Sequence, residues 1–338
     1  MRWQIIQPDD NIDALIDSCF QWLGLIVSCF VFWVPYEQAV YIQIVYYIVK
    51  ELVFFINNKL NRYVYNHFNS RNRWKSLDEL LNNNLRVLCV LTGGSHGLGR
   101  QLCTKIITNY VLKHKKFELL VIDKDYMDID ASLKNVHFII HDFSSRIGEK
   151  LSPFQSDSYD YTIVINNCGY RFGFRDFLSS WDDSSRFFEL LNINTMSACD
   201  LLHWFKPDYT VTISSILSMI SPKNGFLYSS TKSVISNMHE SYVQIENKRG
   251  LLVLPGQLEG TTLFRDFEPF FKNNIKHFFS PLVSIDDLSE RIMVGMGNLE
   301  NGSIVTPYYG YFMKALSFMP YWIQKPLRVM SSVDEVEN

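Results

Sequence analysis

The sequence predicts an α/β protein, a doubly wound parallel sheet preceded by an N-terminal hydrophobic membrane segment. Three observations predict it. From Leu85 onward, short apolar runs rich in β-branched residues alternate with helical stretches, as in parallel strands covered on both faces. A glycine-rich turn, Thr92-Gly93-Gly94-Ser95-His96-Gly97-Leu98-Gly99, sits between the first run and a helix. At the front of the chain, residues 18–36 carry no charged side chain, close to the roughly 20 residues that a membrane-spanning helix needs.

Composition narrows the classes. The 338 residues hold 32 Lys+Arg against 35 Asp+Glu, a formal net charge of −3. There is no basic excess with which to neutralise a nucleic-acid backbone. At 47% hydrophobic and 20% charged, the chain has material for a large core and is not a disordered polymer. Aromatic residues make up 15%, an excess that asks for a location. The six cysteines (Cys19, Cys29, Cys89, Cys103, Cys168, Cys199) are scattered. Without CxxC pairs or Cys/His clusters, neither a disulfide framework nor a metal centre is expected.

Residues 1–57 are read as the membrane anchor. After the first uncharged run a second extends over residues 38–49, and Pro35 lies near the junction. One span and a hairpin both fit. Asp9, Asp10, Asp13 and Asp17 precede the first run, whereas Lys59, Arg62, Arg71, Arg73 and Lys75 follow the second. By the positive-inside tendency the rest of the chain faces the cytosol. A cleaved signal peptide fits poorly, because Arg2 alone would have to serve as its basic leader. Residues 58–84 are Asn-rich and basic, a linker or a short amphipathic helix.

The body, residues 85–307, reads as strands LRVLCVLT, FELLVID, VHFIIHD, YTIVINN, YTVTISS, GLLVLPG and GSIVTP. Helices are expected at about 98–112, 183–205, 228–248 and 285–298. Residues 308–338 form an aromatic, basic segment followed by a solvated tail.

Glycines in the first turn let the backbone approach a pyrophosphate, whose charge then meets a helix N-terminus. Asp123 ends the second strand, where a carboxylate accepts ribose hydroxyls and repels a 2′-phosphate, favouring NAD. Lys124 and His96 argue the other way, for NADP. Asp142, at the end of the third strand, suits the adenine amino group or an ordinary turn. Asn166-Asn167-Cys168-Gly169 closes the fourth strand, with amides placed to line the cofactor pocket.

Ser214 and Ser215 end the fifth strand. Tyr228 and Lys232 follow at i and i+4, on one helical face. A free tyrosine titrates near a pKa of about 10, too high for a base at neutral pH. A neighbouring ammonium stabilises the phenolate and brings it toward the working range. Ser215 is placed to hold a substrate oxygen.

Together these motifs resemble the short-chain dehydrogenase/reductases, whose fold is the Rossmann type. The matches are TGGSHGLG for TGxxxGxG, NNCG for NNAG, ISS, YSSTK for YxxxK, and PGQLEGT for the PG-x-x-x-T segment. The resemblance implies Tyr228 as acid/base, Ser215 as substrate-oxygen partner, and Lys232 on the nicotinamide ribose. It implies that Asn194, or its competitor Asn192, holds a proton-relay water. Pro255, Gly256 and Thr261 would border the nicotinamide, although Gly260 stands where the family's threonine is expected. The greasy leader and the PYW-containing tail resemble membrane- and lipid-droplet-associated hydroxysteroid or retinol dehydrogenases, and acyl-dihydroxyacetone phosphate reductases.

The expectation is an NAD(P)-dependent oxidoreductase acting on a steroid, retinoid or other lipid at the endoplasmic reticulum or a lipid droplet. Two alternatives stand beside it: an NADPH-dependent reductase of an acylated ketone or ketosphingoid base, and a non-catalytic nucleotide-binding scaffold. The substrate pocket is expected from the Phe-rich stretch 263–280 and the final aromatic segment. A lipophilic small molecule and membrane lipid are the expected partners, nucleic acid is not, and a homodimer stays open.

Overall fold

Seven strands run parallel in one sheet, in the order β3-β2-β1-β4-β5-β6-β7. The structure is a computed structural model and describes residues 74–130, 132–171, 184–222, 225–245, 248–260, 282–306 and 316–330. The expected anchor of residues 1–57, Thr261 and the stretch 263–280 lie outside the described residues. Among the described residues, no helix is long and apolar enough to cross a membrane.

The strands are β1 (Val87–Thr92), β2 (Phe117–Asp123), β3 (Val136–Ile140), β4 (Tyr161–Asn166), β5 (Tyr209–Ile213), β6 (Arg249–Pro255) and β7 (Gly302–Thr306). All seven fall where the apolar runs predict them. Every residue of β1, β5 and β6 is buried, which explains the continuous apolar runs of β1 and of β6 after Gly250, while β5 buries two threonines between its apolar residues. Strand order reverses between β1 and β4, and in such sheets ligands bind at that crevice, outside the carboxyl ends of the strands.

The helices are α1 (Leu77–Asn82), α2 (Gly97–Ile106), α3 (Ser184–Leu191), α4 (Ser197–Phe205), α5 (Phe226–Tyr242), α6 (Ile285–Gly297) and α7 (Tyr321–Met330). Leu88, Val90, Leu120, Ile122 and Val164 pack with Leu201 and Phe205 of α4 in a hydrophobic core cluster. Helices α2 and α6 pack on each other, joined at the surface by Lys105 to Asp286 and Glu290 at 3.0 and 2.7 Å.

Of the two readings of residues 58–84, the described part from Trp74 holds a helix, and three of the expected helices differ from their predicted form. Ser76 caps α1 by accepting from Glu79 N–H at 3.1 Å, and Leu77, Leu80 and Leu81 are buried. The compact body therefore includes residues from Trp74 onward. The long helix expected at 183–205 is broken by a π-helical turn, Asn192–Met196, and the one expected at 98–112 ends in another, Ile107–Val111. Finally, α5 ends at Tyr242, six residues before the expected Lys248. Beyond the buried His239, residues 240–245 of that segment are largely solvated, with little apolar surface to hold a further turn against the sheet.

Candidate active site

The glycine turn is built around two close approaches. Gly93 has φ +69°, and a methyl placed on Gly99 would overlap the Gly93 carbonyl oxygen. Asn167 braces the same turn, its Nδ2 donating to Thr92 O at 3.0 Å and Gly93 O at 2.9 Å. Thr92 Oγ1 accepts from the backbone N–H groups of Asn167 and Cys168 at 3.1 and 3.0 Å. Thr92 and Asn167 thus lock the ends of β1 and β4 together at the crevice.

Past this turn, α2 starts at Gly97. His96, at its N-cap, makes no side-chain capping bond, and the first turn holds no acid. The first N–H groups of a helix have no intrahelical acceptor, so this end presents donors and a positive dipole without internal competition. A dinucleotide's pyrophosphate fits such an end.

Asp123 is buried at the end of β2. Its Oδ2 accepts from Ser95 N–H at 2.8 Å and its Oδ1 from Asp125 N–H at 3.2 Å. The carboxylate therefore helps fix the turn, while each oxygen keeps a second lone pair that suits a ribose hydroxyl. His96 lies 3.8 Å from Asp125, which offsets its pull on a 2′-phosphate. Asp142 is exposed and accepts from Ser144 N–H at 2.8 Å. That bond holds its carboxyl below the usual range, as in an ordinary Asx turn.

Asn166 behaves differently from its neighbour. It pairs in register with Thr212, whose hydroxyl meets His239 of α5 at 2.9 Å. Paired residues share a face of the sheet, so Asn166 points toward the α5 side. It is 4% exposed, and neither amide atom has a partner among the described residues.

The structure brings Ser215, Tyr228 and Lys232 together beyond the carboxyl end of β5. It also separates the two serines. Ser214 Oγ bonds Lys232 O at 2.9 Å and Ser236 Oγ at 2.7 Å, fastening α5 to the sheet. Ser215 lies close enough to Tyr228 for its hydroxyl to lower the phenol's pKa, and its own Oγ accepts from Leu217 N–H at 3.2 Å. Both Tyr228 and Lys232 are buried on α5. The Lys232 ammonium lies 5.9 Å from the centre of the Tyr228 ring and donates to Ile213 O at 2.9 Å. Gly169 packs against it, since a methyl there would lie 3.2 Å from Lys232 Nζ.

Burial pushes the Tyr228 hydroxyl up to about 12, opposed by the Ser215 hydroxyl and the charge of Arg171. Burial also brings Lys232 down to about 8. Arg171, which the sequence did not single out, thus adds its charge to the surroundings of Tyr228 beside the Lys232 ammonium. Arg171 is 8% exposed. Its one sequence signal was a charged residue two positions after the NNCG motif.

Asn194 is fully buried, and both hydrogens of its amide are spent on the protein. Nδ2 donates to Tyr170 O at 2.8 Å and Thr231 Oγ1 at 3.0 Å, and Oδ1 accepts from Tyr170 N–H at 2.7 Å. Its side chain therefore positions the backbone after Gly169 rather than donating to a water. Asn192 points elsewhere and donates to Ser144 O at 3.0 Å. Pro255 and Gly256 end β6, with Gly256 N–H bonded to Thr306 O at 2.6 Å.

No family model matches the chain. A curated Saccharomyces cerevisiae protein, "Uncharacterized oxidoreductase TDA5", is 27% identical over 277 residues, covering 77% of this chain and 79% of that one. Among solved structures, 4-hydroxyisoleucine dehydrogenase complexed with NADH aligns over 64% of this chain and 96% of its own, with a TM-score of 0.52 and 16% identity. A short-chain dehydrogenase from Burkholderia cenocepacia in complex with NADP covers 72% and 96%, with a TM-score of 0.54 and 17% identity. A 3-oxoacyl-[acyl-carrier protein] reductase from Brucella melitensis covers 65% and 95% at 0.50 and 16%. The body of this chain has the fold of the short-chain dehydrogenases.

Proposed function

We propose that the chain is a short-chain dehydrogenase/reductase that interconverts a hydroxyl and a carbonyl on a lipophilic substrate with NAD(H) or NADP(H). The observation that carries this reading is the joint burial of Ser215, Tyr228 and Lys232 at the carboxyl end of β5, beside an open helix N-terminus. A bound nicotinamide would supply or take the hydride. Ser215 holds the substrate oxygen. Tyr228 gives that oxygen its proton on reduction and takes it back on oxidation. Lys232 keeps a positive charge near the phenol and binds the nicotinamide ribose. Thr92, Asn167 and the glycine turn seat the pyrophosphate, and Asp123 seats the adenosine ribose, favouring NAD.

The lipophilic substrate is argued from the aromatic-rich segments around residues 263–280 and 308–322, and from the hydrophobic leader read as an anchor in the endoplasmic reticulum or on a lipid droplet. A second reading is served equally by Arg171. Its charge stabilises the Tyr228 phenolate, which suits an NADPH-dependent reductase of an acylated ketone or ketosphingoid base as well as a dehydrogenase.

The test is Tyr228→Phe in the purified full chain. Turnover of a panel of hydroxy- and oxo-lipids should fall by at least about a thousandfold while NADH binding stays within about threefold. Unchanged turnover in the variant would overturn the mechanism. Cofactor binding without turnover in the unmodified protein would favour the scaffold.

A further inference from the structure

The tail of the body ends in an unusual surface. Leu316 is completely buried, and the chain then turns tightly into α7. Phe318 is 79% exposed, Tyr321 72% and Trp322 74%, with Met319 at 37% between them. One exposed ring is ordinary, but three large rings within five residues form a patch that calls for a partner.

These rings do not hang on a loose end. Met319 N–H bonds Leu316 O at 3.1 Å, and Gln324 N–H bonds Pro320 O at 3.0 Å. The Gln324 side chain reaches back to Met319 O at 2.6 Å. From the last turn of α7, Arg328 donates to Ser221 O at 2.6 Å, tying the helix to the loop that follows Ser215. The aromatic rings are thus held outward on a braced turn, so a partner meets a surface that is already organised.

We propose that this surface docks on an anionic phospholipid bilayer. Residues 307–330 contain Lys314, Lys325 and Arg328 but no Asp or Glu, the acids Asp334, Glu335 and Glu337 following only beyond the helix, so the cations nearest the rings match a negatively charged leaflet. The same excess argues against self-association, because a two-fold interface would set like charges against each other. Tyr and Trp have one wet and one dry end, as rings at the headgroup level require. With 10 residues, α7 is about 15 Å long, half the ~30 Å hydrocarbon thickness. It therefore lies along the surface with its N-terminal rings inserted. The contact adds to the leader read as an anchor and does not depend on the reaction proposed above.

The test uses the full chain in phosphatidylcholine–phosphatidylserine vesicles whose acyl chains carry bromine at shallow positions. The emission of Trp322 is obtained as the difference between the unmodified protein and Trp322→Phe. Bromine should reduce that difference signal by at least about twofold, as for a ring seated at the headgroup–acyl boundary. Two results would overturn the proposal. In one, the Trp322 signal ignores bromine but is quenched by aqueous iodide, so the ring stays in water. In the other it responds to neither, so the ring packs on protein, whether the leader or a second copy. The remaining tryptophans, Trp22 and Trp33 among them, report separately on the leader. If they are quenched and Trp322 is not, the docking surface alone fails; if none is quenched, the anchor reading fails with it.

Discussion

Asn194 grips the Tyr170 backbone through the two peptide groups that flank its Cα, accepting from its N–H at 2.7 Å and donating to its C=O at 2.8 Å. Tyr170 lies 24 residues earlier in the chain, just past the end of β4. The grip holds the backbone between Gly169, which packs on Lys232, and Arg171, whose charge acts on Tyr228. It coincides with the π-helical turn Asn192–Met196, an irregularity that recurs at functional sites.

Replacing Asn194 with Ala should therefore cost both stability and turnover. The substitution leaves the Tyr170 N–H and C=O without their partner and removes a bond to Thr231. Because Tyr170 is partly exposed, water can replace part of what is lost there, and a loss of about 1–2 kcal/mol is expected. Urea denaturation measures it as a lower midpoint at constant slope. A shift of less than about 0.5 kcal/mol would show that the grip does not hold the segment.

The difference between what the sequence disclosed and what it concealed follows contact range. The seven strands, the glycine turn and the Tyr228/Lys232 pair were legible because each is a local pattern: an apolar run, a turn chemistry, or an i, i+4 spacing. What separates Ser215 from Ser214 was not legible, since only the packing of α5 on β5 shows Ser214 fastened to Lys232 O and Ser236 Oγ. Asn194's partner was not legible, because nothing near it in sequence announces a peptide 24 residues away. Arg171 was hidden for the same reason. Helix α1 was obscured by its Asn-rich flanks, although Ser76 with Glu79 three residues on is a helix-start signal, and Leu77, Leu80 and Leu81 keep helical spacing.

The packing of Gly99 on Gly93 gives a sharper test of the nucleotide turn. A methyl at position 99 would overlap the Gly93 carbonyl and lie 2.5 Å from Asn167 Nδ2. Neither neighbour can yield cheaply, because one is backbone and the other is held by two hydrogen bonds. Gly99→Ala should weaken NADH binding by at least about a hundredfold, and overpacking should lower stability by about 1–3 kcal/mol. Titration of NADH fluorescence together with thermal melting measures both. Unaltered binding would mean that the turn does not seat the pyrophosphate.

Both buried bases make stability rise with pH, in two separate windows. His239 is buried on α5 against Thr212, and burial brings its pKa down to about 3. Between about pH 6.5 and that value, the unfolded chain binds a proton that the folded chain refuses. Stability contributed by neutral His239 is therefore full above pH 6.5 and is lost as pH falls. Lys232, brought down to about 8 from 10.5, also binds fewer protons when folded, so stability should climb between those two values. Tyr228, raised to about 12, works against that rise above about pH 10. His239→Gln, which keeps a partner for Thr212, should flatten the acid limb. Lys232→Met should raise stability at pH 7 by up to about 3 kcal/mol, the free energy of the pKa shift, while removing turnover. Denaturant unfolding of the three proteins from pH 4 to 10 tests this, and an acid limb that persists unchanged in His239→Gln would assign acid sensitivity to the carboxylates instead.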